Sequence, residues 1–198
     1  MPRVVDQDEK RSTIARAAYE VIANQGIGNT TMRSIARQAG CTTGMVVHYF
    51  KNKQDVLLHA HNHAAQDVRR RMRDHEKDYQ GLALLKALLV EVLPADSRRR
   101  GNWRIWIAFW DESVADGAVT REQSNRVSEW HRRLRRALVQ AVETGQIDAG
   151  INIADEVDLI ASLVEGMAIQ IIVHGRSISE NRQLRLIDEY LRRLSIPG

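Results

Sequence analysis

Most of the excess of basic over acidic side chains lies in the first 58 residues of the chain. This segment holds eight basic and five acidic residues, whereas the other 140 residues are almost balanced, with 21 basic and 20 acidic. Arg33 can donate a bidentate pair of hydrogen bonds to the O6 and N7 atoms of guanine. Met45 and Val47 are apolar and can pack against a thymine methyl group. The charge excess and these side chains together favour a polyanionic partner.

Two short predicted helices would position these side chains. Hydrophobic periodicity places the first at about residues 32–39 and the second at about residues 43–49. Between them, Gly40 can adopt the positive φ that a sharp turn after a helix requires, and Thr42 can cap the second helix. This spacing predicts a helix-turn-helix, whose second helix enters the major groove of DNA. Two packed short helices without a DNA-binding role are the alternative interpretation.

A longer stretch of this segment resembles a known family. Residues 40–53 read Gly-Cys-Thr-Thr-Gly-Met-Val-Val-His-Tyr-Phe-Lys-Asn-Lys, which is similar to the recognition helix and exit of the TetR family of bacterial repressors. Residues 31–36, Thr-Met-Arg-Ser-Ile-Ala, are similar to the second helix of that family. The resemblance covers about residues 8–58. It departs from the family pattern at Cys41, which is usually aliphatic, and at Val47, where many members carry a tyrosine.

The resemblance implies which residues contact DNA. Those expected to contact base edges are Arg33, Thr43, Gly44, Met45 and Val47. Those expected to contact phosphate oxygens are Thr31, Thr42, His48, Tyr49 and Lys53. Further contacts from the N-terminal arm are expected from Arg3, Lys10 and Arg11. Two alternatives remain open: Thr42 acts only as a helix cap, and Tyr49 packs partly into the core.

The rest of the chain has the pattern of an all-α protein with about nine helices. Only three prolines occur, none of them within a long periodic segment, and Val, Ile and Thr recur at helical rather than alternating spacing. We predict a helix-turn-helix DNA-binding domain at residues 1–53 and a larger helical ligand-binding and dimerisation domain at residues 54–198. The boundary is expected at the fourth helix, without a flexible linker.

The last two predicted helices carry more apolar residues than one chain of this size readily covers. Their predicted interface residues are Val157, Ile160, Val164, Gly166, Ala168, Ile171, Leu184, Ile187 and Leu191. Two such helices from each subunit would form a four-helix homodimer interface, as in TetR-like proteins, and a two-fold dimer suits a palindromic operator. A purely intramolecular core is the alternative.

A stripe of tryptophans marks a candidate effector site. Trp103, Trp106 and Trp110 lie at i, i+3 and i+7 on one predicted helix, which follows a predicted connector at residues 98–101. Aromatic rings near a carboxylate can hold a cation. The candidate ligand-binding residues are Trp103, Trp106, Phe109, Trp110, Trp130 and Glu165. Simple core packing is the alternative. The segments 106–110 and 165–168 resemble the choline-responsive, BetI-type branch of the family.

Several function classes find no support in the sequence. There is no phosphate-binding glycine loop and no nucleophile elbow, so we expect neither an enzyme nor a cofactor. His59 and His63 have a spacing usable for zinc, but a solvated helix face explains them better and we expect no metal. The longest apolar run has six residues, far below the ~20 that cross a bilayer, and no signal segment is evident. We therefore expect a cytoplasmic protein with no membrane partner.

These patterns predict a sequence-specific transcriptional regulator that binds double-stranded DNA. We expect a homodimeric repressor that a small-molecule effector releases from a palindromic operator. Two other classes are possible interpretations: a non-specific or architectural DNA-binding protein, and a helical partner-binding protein that retains the fold.

Overall fold

The computed structural model describes the backbone of residues 3–115 and 117–196, and the side chains of residues 7–108 and 124–196. These residues form nine α-helices and no strand beyond one isolated bridge, which confirms the predicted all-α fold. The helices are α1 (Arg3–Gln25), α2 (Met32–Gln38), α3 (Thr43–Tyr49), α4 (Lys53–Asp78), α5 (Gly81–Val92), α6 (Ser97–Ala115), α7 (Gly117–Glu143), α8 (Ile153–Ile172) and α9 (Glu180–Leu194). Within these described residues, no helix combines the length and apolar composition of a membrane span.

Two compact units divide the chain. The first consists of Met1–Asp67 and Arg100–Ala115, and the second of Val68–Arg99 and Asp116–Gly198. The division passes through α4 and α6, and it lies further along α4 than the predicted boundary after residue 53. The first half of α4 belongs to the first unit because Val56, Leu57 and Ala60 are part of that unit's core.

The core of the first unit is built from apolar residues at helical spacing. Ile14, Ala18 and Ile22 lie one turn apart on a single face of α1. The buried residues that complete this core come from α2, α3, the turn after α3, α4 and α6: Ile35, Ala36, Val46, Phe50, Val56, Leu57, Ala60 and Ile105. Burial of these side chains holds α2 and α3 in a fixed orientation against α1 and α4.

The second unit is organised around the leucine-rich helix α5. This helix packs against α7 and α9, and α7 in turn packs against α8. The fully buried leucines on and just after α5 are Leu84, Leu85, Leu88, Leu89 and Leu93. Their near-continuous burial requires partners on more than one side, which α7 and α9 supply.

Candidate nucleic-acid interface and effector region

The turn between α2 and α3 is closed by backbone hydrogen bonds around Gly40. The φ of Gly40 is +64°, in the left-handed region that favours glycine. The amide of Cys41 donates to the carbonyl of Ala36 at 3.0 Å, and the amide of Gly40 donates to the carbonyl of Arg37 at 3.3 Å. This pair of bonds is a Schellman motif, which ends α2 and turns the chain into α3. The predicted helix-turn-helix geometry is therefore present.

Thr42, which the sequence predicted as a cap, and Thr31, which it did not, both stabilise helix starts. The hydroxyl of Thr31 accepts from the amide of Ser34 at 3.0 Å, and the hydroxyl of Ser34 accepts from the amide of Thr31 at 2.9 Å. This reciprocal pair is a capping box at the start of α2. The hydroxyl of Thr42 accepts from the amide of Met45 at 3.1 Å at the start of α3. Each threonine thus has a cap role as well as a predicted phosphate contact.

The two faces of α3 differ sharply in exposure. Val46 and Phe50 are buried at 0% and 1% exposure, whereas Met45 is 38% exposed and Val47 is 58% exposed. Arg33, on α2, is also exposed and has no ion pair with any side chain that the structure describes. The other exposed members of the predicted contact set are Thr31, Thr42, Thr43, Gly44 and His48. An outward face that combines Arg33 with apolar and small side chains can read base edges.

Lys53 and Tyr49, two further predicted phosphate contacts, also have partners inside the first unit. The ammonium group of Lys53 donates to the carbonyl oxygen of Ile27 at 3.1 Å. This bond ties the start of α4 to the loop between α1 and α2. Tyr49 is half-buried and packs against the core, and its ring contacts His48 edge-on at 5.2 Å between centroids. The partly buried position of Tyr49 agrees with the alternative noted from the sequence.

Arg11 turns away from the surface that Arg33 and α3 present. Its guanidinium carbon lies 5.2 Å from the centroid of the Phe50 ring, a cation–π distance. Its Nη2 atom is 3.3 Å from Nε2 of His59 and 3.9 Å from a carboxylate oxygen of Asp55. The predicted arm contact of Arg11 with DNA therefore competes with three partners in its own unit. The side chain of Arg3 lies outside the described residues.

The two histidines at zinc-compatible spacing have packing partners. The Nδ1 atom of His59 is 2.8 Å from the carbonyl oxygen of Asp55, and its ring contacts Phe50 at 5.2 Å. The ring of His63 contacts Tyr19 edge-on at 6.0 Å. Among the side chains that the structure describes, no group of three or more His, Cys, Asp or Glu is placed to hold a metal ion.

Trp103 and Trp106 lie together on the part of α6 that belongs to the first unit. Their rings meet edge-on at 5.1 Å between centroids, and the residues are only 4% and 8% exposed. This burial means that both indoles pack as core residues in the present conformation. The side chains of Phe109 and Trp110, the other predicted ligand contacts on this helix, lie outside the described residues.

Trp130 on α7 and Glu165 on α8 are the predicted effector residues of the second unit. Both are half-buried. Burial raises the pKa of the Glu165 carboxyl above its ordinary value of 4.5, and the nearby His131 lowers it by a smaller amount. A carboxylate held in a partly desolvated position interacts strongly with any cation that reaches it.

The start of α6 is joined to α1 by contacts that the sequence did not indicate. The predicted connector at residues 98–101 is wrong, because α6 already begins at Ser97. The hydroxyl of Tyr19 donates to the side-chain oxygen of Asn102 at 2.9 Å, and Arg104 donates to the carbonyl of Ala23. A Cβ added to Gly101 would lie 2.7 Å from the Cβ of Ala23. A lone glycine in a helical pattern was the one available signal of this close approach.

Six of the nine predicted interface residues are buried by their own chain. These are Val157, Ile160, Val164, Ala168, Ile187 and Leu191, each at most 7% exposed. They face the interior of the second unit and have almost no surface left for a second chain. Ile171 and Leu184 are half-buried, and Gly166 is exposed.

A different face of the same two helices remains open. Leu159 and Val173 on and just after α8 are 57% and 55% exposed, and Leu186 on α9 is 43% exposed. Gly166 lies seven residues after Leu159 and therefore on the same face of α8. These three large apolar side chains are accessible for contact with another molecule.

Comparison with sequence families gives two matches that together span most of the chain. Residues 14–60 match the model described as bacterial regulatory proteins, tetR family. Residues 82–195 match the model described as BetI-type transcriptional repressor, C-terminal. The second match alone covers more than half of the chain.

Individual relatives agree with these matches. A protein named HTH-type transcriptional regulator BetI from Paraburkholderia phymatum is 26% identical over 96% of this chain and 95% of its own length. HTH-type transcriptional regulator PksA from Bacillus subtilis is 22% identical over 99% of this chain and 95% of its own length. A proposed transcriptional regulator from Saccharomonospora viridis, solved in complex with choline, superposes with a TM-score of 0.88 at 19% identity. That superposition covers 96% of this chain and all of the other.

Proposed function

Because the chain belongs to the TetR family of bacterial transcriptional regulators, we propose that it is a homodimeric repressor released from a palindromic operator by a small-molecule effector. The protein is a DNA-binding regulator and not an enzyme. In this proposal the helix-turn-helix of each subunit reads one half-site in the cytoplasm, where bacterial DNA lies. The effector favours a conformation whose two recognition helices no longer match successive major grooves.

The observation that carries the DNA-binding part is the outward face of α3. Val47 at 58% and Met45 at 38% exposure lie on a short helix whose opposite face is fully buried. Because the buried face fixes the orientation of α3, these two apolar side chains are held outward and are accessible to a partner. Arg33, exposed and free of ion pairs with the described side chains, lies on the neighbouring helix and provides the guanine-reading group.

Selection of bound duplexes from a random pool tests this proposal. We expect enrichment of a palindromic site whose half-sites lie about one helical turn apart. Binding to the enriched duplex should weaken steeply with salt, because each neutralised phosphate releases counterions. Bound DNA without an enriched sequence would instead indicate an architectural protein, and no salt-dependent binding at all would indicate a helical protein that has lost DNA recognition.

For the effector we propose a small organic cation that binds against Trp103 and Trp106. Support comes from the edge-to-face indole pair and from the choline bound in the similar regulator of Saccharomonospora viridis. Both indoles are covered in the present conformation. A cation that stacks on them must therefore bind a rearranged conformation more tightly, which is the thermodynamic requirement for release from DNA. The roles of Phe109, Trp110, Trp130 and Glu165 in effector binding stay predictions from the sequence.

Binding titrations followed by tryptophan fluorescence distinguish a cationic effector from an apolar one. Choline should change the tryptophan emission saturably, and its uncharged carbon isostere should bind more than tenfold more weakly, since a desolvated cation–π contact contributes about 2 kcal/mol. Trp106→Phe should weaken choline binding but leave operator affinity nearly unchanged. Equal binding of choline and its isostere would show that charge is not recognised.

A further inference from the structure

His131 on α7 faces two carboxylates of α8 within the second unit. Its Nδ1 atom is 3.8 Å from a carboxylate oxygen of Asp158. Glu165 lies seven residues after Asp158 and therefore on the same side of α8. The pKa of the Glu165 carboxyl, which burial raises, is lowered in part by His131, so the imidazole is close to this group as well. One histidine thus serves as the counter-charge of two acids.

The charge of α8 is entirely acidic. Its residues, Ile153–Ile172, include no lysine or arginine and four acids: Asp155, Glu156, Asp158 and Glu165. The carboxylate of Glu156 accepts a hydrogen bond from the hydroxyl of Tyr190 on α9. Asp155 and Asp158 are exposed. A basic group that neutralises this helix must therefore come from another element.

His131 is the one basic group of the adjacent helices whose charge changes near neutral pH. On α7 its charged neighbours are Arg132 and Arg135, and on α9 Arg182 and Arg185 are exposed. Arginine keeps its charge at every physiological pH, whereas histidine gains or loses its charge between about pH 5 and pH 8. The sequences of α7, α8 and α9 contain no other histidine.

A second copy of the chain would change the surroundings of this group. We expect the homodimer to use the open face of α8 and α9, which contains Leu159, Gly166, Val173 and Leu186. Asp158 directly precedes Leu159, and Glu165 directly precedes Gly166. Covering this face therefore also removes water from the two carboxylates and from His131. Carboxylates that lose water are costly without a counter-charge, and protonated His131 supplies one.

We propose that protonation of His131 strengthens dimerisation, so that two subunits associate more tightly at mildly acidic than at mildly alkaline pH. The inference rests on the proposed homodimeric repressor and adds a regulation of its assembly. Because a dimer reads two half-sites at once, the same proton increases operator occupancy at protein concentrations near the dimer dissociation constant.

Sedimentation of the full chain at several pH values tests the inference. A fluorophore on Cys41, the only cysteine and a residue of the first unit, allows measurement at low protein concentration. Between about pH 6 and about pH 8 the dimer dissociation constant should increase with pH. The increase is at most about tenfold per pH unit for each proton bound on association, with one proton per subunit.

His131→Gln should abolish this pH dependence, because glutamine is neutral throughout. Its dissociation constant should stay near the value that wild type reaches at the alkaline end. Asp158→Asn should reduce the pH dependence and tighten the alkaline dimer, since it removes a carboxylate that His131 must neutralise. His174→Gln is the matched control. His174 is an exposed histidine just after α8 and forms no ion pair with any side chain that the structure describes, so this variant should behave as wild type. Circular dichroism checks that each variant is folded.

Two results would overturn the inference. A wild-type dissociation constant that is the same at both ends of the pH range would show that arginines of the second copy, such as Arg185, neutralise α8. A pH dependence that persists in folded His131→Gln would assign the proton to another group, such as Glu165. Either result leaves the homodimeric repressor intact, whereas a wild-type protein that stays monomeric at every pH would remove that proposed function itself.

Discussion

Arg33 and Lys53 are both basic residues expected to contact DNA, yet their surroundings differ. Arg33 is exposed and forms no ion pair with the described side chains, so its guanidinium is available for a base. The ammonium group of Lys53 already donates to the carbonyl of Ile27 at 3.1 Å. Because an ammonium has three donors, Lys53 can hold the loop between α1 and α2 and still reach a phosphate.

Substitution of these two residues should therefore have different effects. Arg33→Ala should cost about 1–3 kcal/mol at one base position and leave the melting temperature of the free protein unchanged. Lys53→Ala should weaken binding to all sequences similarly and also lower the melting temperature, because the Ile27 carbonyl loses its donor. Binding to single-base variants of the operator, together with thermal melts without DNA, measures both effects. Equal loss of specificity in both variants would contradict this division of roles.

The carboxyl of Glu165 should make the free energy of unfolding depend on pH. Burial raises the pKa of its carboxyl above 4.5, so the folded state binds a proton more tightly than the unfolded state does. The free energy of unfolding should therefore decrease as pH rises through the interval between the unfolded and the folded pKa. Glu165→Gln should remove this decrease and make the protein more stable than wild type at neutral pH. Below the unfolded pKa the two proteins should have similar stability.

Chemical denaturation of both proteins at several pH values provides the measurement. A difference that persists unchanged at acidic pH would show that the carboxyl acts through a hydrogen bond or packing and not through its charge.

At the scale of helices, the start of α6 is held closely against α1. The close approach of Gly101 to Ala23 and the hydrogen bond from Tyr19 to Asn102 both lie within the first unit. Just before them in the chain, Arg99 is held by Asp96 and Glu180 of the second unit. The start of α6 is thus fixed by contacts within each unit.

Gly101→Ala should destabilise the protein by about 1–3 kcal/mol, because the new methyl group would lie 2.7 Å from the Cβ of Ala23. Ala23→Gly removes the opposing methyl group, so the double variant should recover part of the loss caused by Gly101→Ala. Denaturation of all four proteins in a double-mutant cycle measures this coupling. Additive losses in the double variant would show that the loss caused by Gly101→Ala does not come from a clash with the Ala23 methyl group.

At the scale of the whole molecule, the exposed face of α8 and α9 is the surface that we propose for dimerisation. Leu159 and Ile160 are neighbours on α8, but Leu159 is 57% exposed and Ile160 is fully buried. Substitutions at these two positions should therefore distinguish an effect on dimerisation from an effect on folding.

Leu159→Glu should give a folded monomer with much lower operator affinity, because a charge in the dimer interface would be buried without a partner. Ile160→Glu should instead unfold the chain, since it places the same charge in the core of the second unit. Light scattering gives the mass, and circular dichroism gives the helical content. If the Leu159→Glu protein remained a dimer, the dimer interface would have to lie on another surface.

Local sequence signals were sufficient for the all-α fold and for the helix-turn-helix, but not for the start of α6 at Ser97. Gly40 and Thr42 mark the turn because a positive φ and an N-cap are requirements of the few residues around them. Ile14, Ala18 and Ile22 recur one turn apart, a pattern that depends on one helix alone, and they form the buried face of α1.

Tertiary structure decided which of several suitable faces and partners each residue uses. α8 is apolar nearly all round, so its own periodicity could not show that Ile160 is buried while Leu159 remains exposed. Arg11 and Lys10 are adjacent and both basic, and only the packing of α1 against the turn before α4 turns Arg11 towards Phe50. Such choices depend on contacts between residues distant in sequence, which no local pattern of side chains contains.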